Sequence, residues 1–133
     1  MVCYTDGGSQ PNPGPTGAGA AVYFPLPPDK SSETPISLKK AISLGQGTNN
    51  IGELAAIGLA MDLIAEGEEK GYLGGFEKAG ILILTDSKYA KGVLLNTLRP
   101  KANLKLIAEV KSKLEKRRAK GNEVKFHYVK GHT

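Results

Sequence analysis

At Asn50 the hydrophobic pattern of this chain changes period, and that switch restricts the possible folds more than any other feature. Before it lie three short apolar runs: Met1–Thr5 ending at Asp6, Ala18–Phe24, and Ile36–Leu44. Glycine, proline and polar residues bound each run, the signature of strands joined by hairpins. Beyond it Leu54, Ile57, Met61 and Ile64 recur at i, i+3, i+7 and i+10, one stripe of a helix. Asn50 reads as the N-cap of that helix, with Glu53 at capping-box spacing.

The later segments alternate. ILIL at 81–84 is an unbroken apolar run, as in a central strand buried on both faces. It ends in Thr85-Asp86-Ser87, an N-cap cluster that opens a short helix, KYAKGVLLNTL. After Arg99-Pro100 a second amphipathic helix starts near Asn103, with Leu104, Ile107, Val110 and Leu114 inward and KSKLEKRRAK outward. VKFHYV then alternates, with Val124, Phe126 and Tyr128 on one face and Lys125 and His127 on the other. The expected order is β-β-β-α-β-α-α-β, a mixed sheet covered by helices in one α/β domain. Two connections, 25–35 and 66–80, are long, and Gly7 to Gly19 reads as turn chemistry.

Length bounds this to a single domain over residues 1–133. The one cysteine, Cys3, cannot form an internal disulfide; in its apolar run it reads as a small buried side chain. No apolar run approaches the roughly 18 residues of a membrane span, so the expectation is a soluble, cytoplasmic protein with no membrane partner. A surplus of 18 Lys+Arg over 13 Asp+Glu, net +5, suits a polyanionic partner without specifying one.

Three acids carry the chemistry. Asp6 and Asp86 each close an apolar strand, the edge where α/β sheets collect ligands, and Glu53 lies in the first turn of the helix after the third strand. If the first and fourth strands are neighbours and that helix packs across them, the three carboxylates converge. Such a cluster needs a cation, and hard oxygen donors suit Mg²⁺ or Mn²⁺. Two such ions about 3.5–4 Å apart would support phosphodiester hydrolysis. Each acid alone also has an ordinary explanation: a turn aspartate, a helix N-cap, or a charge favourable to the helix dipole.

YTDGGSQPNPGPTGAGA, TNNIGELAAIGLAMDL, ILTDSKYAKGV and HYVKGH, in this order over nearly the whole chain, resemble type 1 ribonuclease H. The resemblance implies a ribonuclease H-like fold: a five-stranded mixed sheet, its first three strands antiparallel, with helices on both faces. It implies a monomer that cleaves the RNA strand of RNA–DNA hybrids with two Mg²⁺ ions, Mn²⁺ substituting. By motif Asp6, Glu53 and Asp86 match the family's first three metal ligands. Thr48 matches its grip on a DNA phosphate, and Asn49 and Asn50 its minor-groove contacts. Asn12, Lys88 and Asn103 match further substrate-facing positions. His132 matches the mobile-loop histidine that assists proton movement and product departure.

The pattern also departs from the family. NTLRPKANL is short where many bacterial relatives carry a basic, tryptophan-bearing handle, which leaves Lys88, Lys91, Lys101, Lys105 and the KRRAK segment as candidate grips. The family continues past KGH to an Asn-Glu pair and a fourth aspartate on a terminal helix, whereas this sequence stops at Thr133. Three readings stay open: a hybrid-specific nuclease, a non-catalytic or weakly active hybrid-binding domain, and a ribonuclease H domain excised from a retroelement polyprotein. Met1 at the first strand speaks for a free-standing product over the last.

Overall fold

The computed structural model describes residues 1–26 and 34–130. The elements are β1 (Val2–Ser9), β2 (Gly14–Tyr23), β3 (Ser37–Gly47), α1 (Asn49–Glu69), β4 (Ile81–Thr85), α2 (Lys88–Leu94), α3 (Leu104–Ala119) and β5 (Val124–Tyr128), in the order the period switch predicts. They form one five-stranded sheet, β3-β2-β1-β4-β5. β1 pairs antiparallel with β2, and β2 with β3; β4 runs parallel to β1 and to β5. The first and fourth strands are therefore neighbours, the condition for the acids to meet.

Strand ends differ from the expectation. β1 does not stop at Asp6 but runs on through Gly7 and Gly8 to Ser9, which pairs with Thr16 of β2. The turn is confined to the residues between Ser9 and Gly14, closed by Gln10 N–H donating to Pro15 O at 3.2 Å. None of the glycines from Gly7 to Gly19 has positive φ. Gly7 serves a different need. A Cβ on Gly7 would lie 2.1 Å from the carbonyl carbon of Gly52, and a Cβ on Gly52 would lie 2.5 Å from the Gly8 nitrogen. Strand and helix touch backbone to backbone here, so the missing side chains permit close approach. β3 extends to Gly47 through a bulge opposite Thr16 and Gly17, with Gly45 at φ +74°. The proline-rich tip of the 25–35 connection lies partly outside the described residues, as do Pro27 and Pro28.

The N-cap of α1 is Thr48, whose Oγ1 accepts from Ile51 N–H at 3.3 Å; Asn50 falls inside the helix instead. Leu54, Ile57, Met61 and Ile64 are buried as their spacing implies, but Ala56, Gly58, Leu59, Ala60 and Leu63 are buried too. The helix is apolar nearly all round because it lies between the sheet and α3, where Val110 reaches to 3.4 Å of a Cβ placed on Gly58. Part of the 66–80 connection is also its last turn. On α3, Ile107, Val110 and Leu114 point inward, but Leu104, at the helix start, is 61% exposed. Cys3 is fully buried in the core, as read.

Helices on both faces of the sheet are met on one face among the described residues. That face carries Cys3, Ile81 and Ile83, buried under the helices. On the other, Tyr4 is 51% and Leu82 36% exposed, so the ILIL run is buried on alternate residues only. Tyr4, Ala21, Leu84 and Val129 line a depression of about 460 Å³ there, which reaches Asp6 and Asp86 at its end.

Candidate metal centre and nucleic-acid interface

β1 and β4 align Tyr4 with Leu84, their last pair, and Asp6 and Asp86 each follow two residues beyond it on the adjoining segments. Glu53 comes from the helix above. Because Gly52 seats its backbone directly on Gly7, the next residue projects its carboxylate to the strand edge. Asp6, Glu53 and Asp86 each offer an oxygen, all within 4.8 Å of one another.

Asp86 is spared the capping duty its position suggested. Ser87 caps α2, its Oγ accepting from Ala90 N–H at 2.9 Å, and Thr85 Oγ1 accepts from Ser87 N–H at 3.1 Å. Thr5 in turn donates its hydroxyl to Leu84 O at 2.9 Å, tying the two acid-bearing strands together. The hydroxyls on either side of the acids absorb the local backbone groups and leave the carboxylates free.

The cluster is electrostatically uncomfortable by itself. Glu53 is only 8% exposed, and its carboxyl is pushed up from 4.5 to about 8. Burial is the largest cause, followed by the charge of Asp86, a hydrogen bond with Asp86 and the charge of Asp6; the Gly7 N–H pulls weakly the other way. Glu53 Oε2 and Asp86 Oδ1 are both buried with no hydrogen-bond partner among the described residues. Orphaned, convergent, hard oxygen donors fit a divalent cation such as Mg²⁺ or Mn²⁺.

Beside the acids, Ser9, Asn12 and Asn49 form one hydrogen-bonded unit. Asn49 Oδ1 accepts from Ser9 N–H at 2.8 Å, Asn12 Oδ1 accepts from Asn49 N–H at 3.0 Å, and Ser9 Oγ–H donates to Asn12 Oδ1 at 2.9 Å. Asn50 is exposed next to them. Thr48 uses a lone pair in capping, which leaves its hydroxyl proton available. Lys88 follows Ser87 in the first turn of α2, its Nζ 5.1 Å from the centre of the Tyr128 ring. Asn103 precedes α3 at φ +62° without capping it, and its Nδ2 donates to Tyr89 Oη at 3.3 Å. His132 lies outside the described residues.

The RNase H family model matches residues 1–133. The chain belongs to the RNase H family. Among solved structures, this RNase H chain is similar to the N-terminal RNase H domain of Rv2228c from Mycobacterium tuberculosis, solved as a fusion with maltose-binding protein, at 27% identity and TM-score 0.68. The match covers 97% of this chain and 81% of that one. RNase H1 of the halophilic archaeon Halobacterium salinarum is 20% identical with TM-score 0.66, over 97% and 84% of the two chains. LC11-RNase H1, solved in complex with an RNA/DNA hybrid, is 19% identical with TM-score 0.69, over 97% and 84%. A comparison with curated proteins found no match.

One candidate grip of this RNase H chain is removed by the structure. Arg117 of KRRAK is 3% exposed, its Nη2 3.0 Å from Glu68 Oε2 and its Nε 3.1 Å from Asn122 Oδ1. Asn122 passes the link on to the carbonyls of Glu77 and Ala79. Glu68 lies fifteen residues along α1 from Glu53, about 22 Å away along the helix. Arg117 is thus a staple between the helices and the 70–80 connection, at the end of the molecule remote from the acids. Two residues the sequence reading missed matter more: Gly52, signalled by a glycine inside a helical pattern, and Ser9, which carries no local signal.

Proposed function

We propose that this chain cleaves the RNA strand of RNA–DNA hybrids by metal-dependent phosphodiester hydrolysis. The observation that carries this is the convergence of Asp6, Glu53 and Asp86, with buried, unpartnered oxygens on Glu53 and Asp86. Family membership supports it, as does a structural relative solved with an RNA/DNA hybrid.

Asp6, Glu53 and Asp86 would together hold two ions, Mg²⁺ or Mn²⁺. Divalent ions bound there supply Lewis-acid activation of water and of the scissile phosphate. The protein's own contribution is placement. Asp6 and Asp86 are fixed by neighbouring strands, and Glu53 by a helix that cannot recede without losing its backbone seat on β1. Around the acids, the Thr48 hydroxyl is free to donate to a phosphate oxygen, and Asn12, Asn49 and Asn50 offer amides to the minor groove. Lys88 supplies a positive charge two residues from Asp86, steadied by the Tyr128 ring. Asn103 would extend the contact surface along α2. His132 would act in proton movement and product departure.

The test is a labelled RNA–DNA hybrid incubated with the chain and with Asp86→Asn, in Mg²⁺ and in Mn²⁺. Cuts in the RNA strand that depend on metal and vanish in the variant are expected. The second reading, hybrid binding without turnover, is favoured by the three-acid makeup of the cluster among the described residues. Retention of the hybrid without cleavage in either metal would establish that reading and sink the first.

A further inference from the structure

The unit formed by Ser9, Asn12 and Asn49 has a fixed polarity. Both side-chain oxygens accept from backbone N–H groups: Asn49 Oδ1 from Ser9 at 2.8 Å, and Asn12 Oδ1 from Asn49 at 3.0 Å. A backbone N–H can only donate, so rotating either amide by half a turn would set NH₂ against N–H. Chemistry therefore assigns the two oxygens inward. The Ser9 hydroxyl has one proton to give and directs it to the nearer oxygen, Asn12 Oδ1 at 2.9 Å, so Ser9 holds Asn12 through its side chain and Asn49 through its N–H. Gly8 leaves the room: a Cβ there would lie 3.3 Å from Asn49 Oδ1. Asn12 and Asn49 are exposed, and neither Nδ2 donates to another described residue.

We infer that Ser9 is a positioning residue that holds both amides oxygen-inward, so that this corner presents N–H donors alone and reads hydrogen-bond acceptors in the hybrid's minor groove. The inference rests on the hybrid-binding reading above and narrows it. An unconstrained asparagine can turn either end outward and accept from the guanine 2-amino group as readily as donate. Here that choice is removed. Purine N3, pyrimidine O2 and the 2′-oxygen are the acceptors such a surface can take; the guanine amino group is the donor it cannot.

The experiment changes the groove one group at a time. Hybrid affinity is measured in EDTA by fluorescence anisotropy on duplexes of one sequence, with guanosine replaced by inosine, or adenine by 3-deazaadenine. Inosine deletes the groove's donor, 3-deazaadenine an acceptor. The expected result is unchanged or tighter binding with inosine and about three- to tenfold weaker binding with 3-deazaadenine, the worth of a hydrogen bond. Ser9→Ala should weaken binding of the unmodified hybrid by a similar factor and raise KM with kcat unchanged, while Ser9→Thr, which keeps the hydroxyl, restores both. Equal losses with both modified duplexes, or a Ser9→Ala loss that Ser9→Thr does not restore, overturn the inference alone. Failure of the parent chain to bind any hybrid, in EDTA and in Mg²⁺ alike, overturns the hybrid reading and the inference with it.

Discussion

Replacing Glu53 by glutamine should stabilise this protein at alkaline pH and leave it nearly unchanged at pH 5. The carboxyl sits at about 8 in the folded chain against an ordinary 4.5. Between those values the folded state keeps a proton that the unfolded state has released. Stability therefore falls as pH rises through this window, and the loss is complete above about 8. At about 1.36 kcal/mol per pH unit the ceiling is about 5 kcal/mol. Water entering the open strand edge lowers this to about 2–4 kcal/mol. Glutamine is close in shape and carries no charge, so it avoids the cost of burying an anion beside Asp86 and Asp6. The Met1 amino group, lowered by burial, contributes a slope of opposite sign, but it is common to both proteins and cancels in their difference. Urea denaturation in EDTA at pH 5, 7 and 9 measures the gap directly. A gap that opens with pH, the variant being the more stable, is expected. A constant gap, or a parent chain that gains stability relative to the variant toward pH 9, would refute the reasoning.

Other outcomes follow from the same geometry. Millimolar Mn²⁺ at pH 8.5 should raise the melting temperature of the parent chain and do much less for Glu53→Gln, since only the former brings a full set of acids to the ion; equal shifts would place the ion elsewhere. Gly52→Ala puts a Cβ 2.5 Å from the Gly8 nitrogen and 2.9 Å from Gly17 O, so it should cost about 1–3 kcal/mol and weaken Mn²⁺ binding by displacing Glu53, both read by denaturation and ion titration. Arg117→Met should cost about 1–3 kcal/mol by leaving Asn122 Oδ1 without its donor and Glu68 with Lys120 alone while leaving hybrid affinity within twofold in an anisotropy assay. Cys3, with its thiol raised to about 12 by burial, should react with a thiol reagent only as fast as the chain unfolds.

Much of this architecture is legible in the residues because local periods and global packing agree. The switch from strand runs to the Leu54–Ile64 stripe gives the element order, and the placement of Asp6 and Asp86 just past the apolar runs of two adjoining strands gives two of the three acids their neighbourhood. The failures share one physical origin. Gly7, Gly8, Gly14 and Gly17 read as turn because glycine is permissive, yet they lie in strands, and at Gly7 and Gly14 a helix or a neighbouring chain segment comes too near for a side chain. Asn50 looked like the cap because its spacing to Glu53 is right; Thr48 won because β3 runs on to Gly47 and delivers the chain to the helix there. Arg117 read as a solvated charge, since its partners Glu68 and Asn122 come from other parts of the fold. The Ser9 link is invisible for the same reason: it exists only once the β1–β2 turn has met the start of α1.

The backbone contact between Gly7 and Gly52 changes what a routine mutational survey of this chain would mean. Alanine scanning is designed as subtraction, with the lost function credited to the side chain removed. At these two positions it is addition, because the methyl group enters space already filled by another main chain. Both substitutions would silence the acid cluster and enter any activity map as if they were ligands. The spacing of the carboxylates is set by atoms that are absent, and only a survey that counts what it inserts will find them.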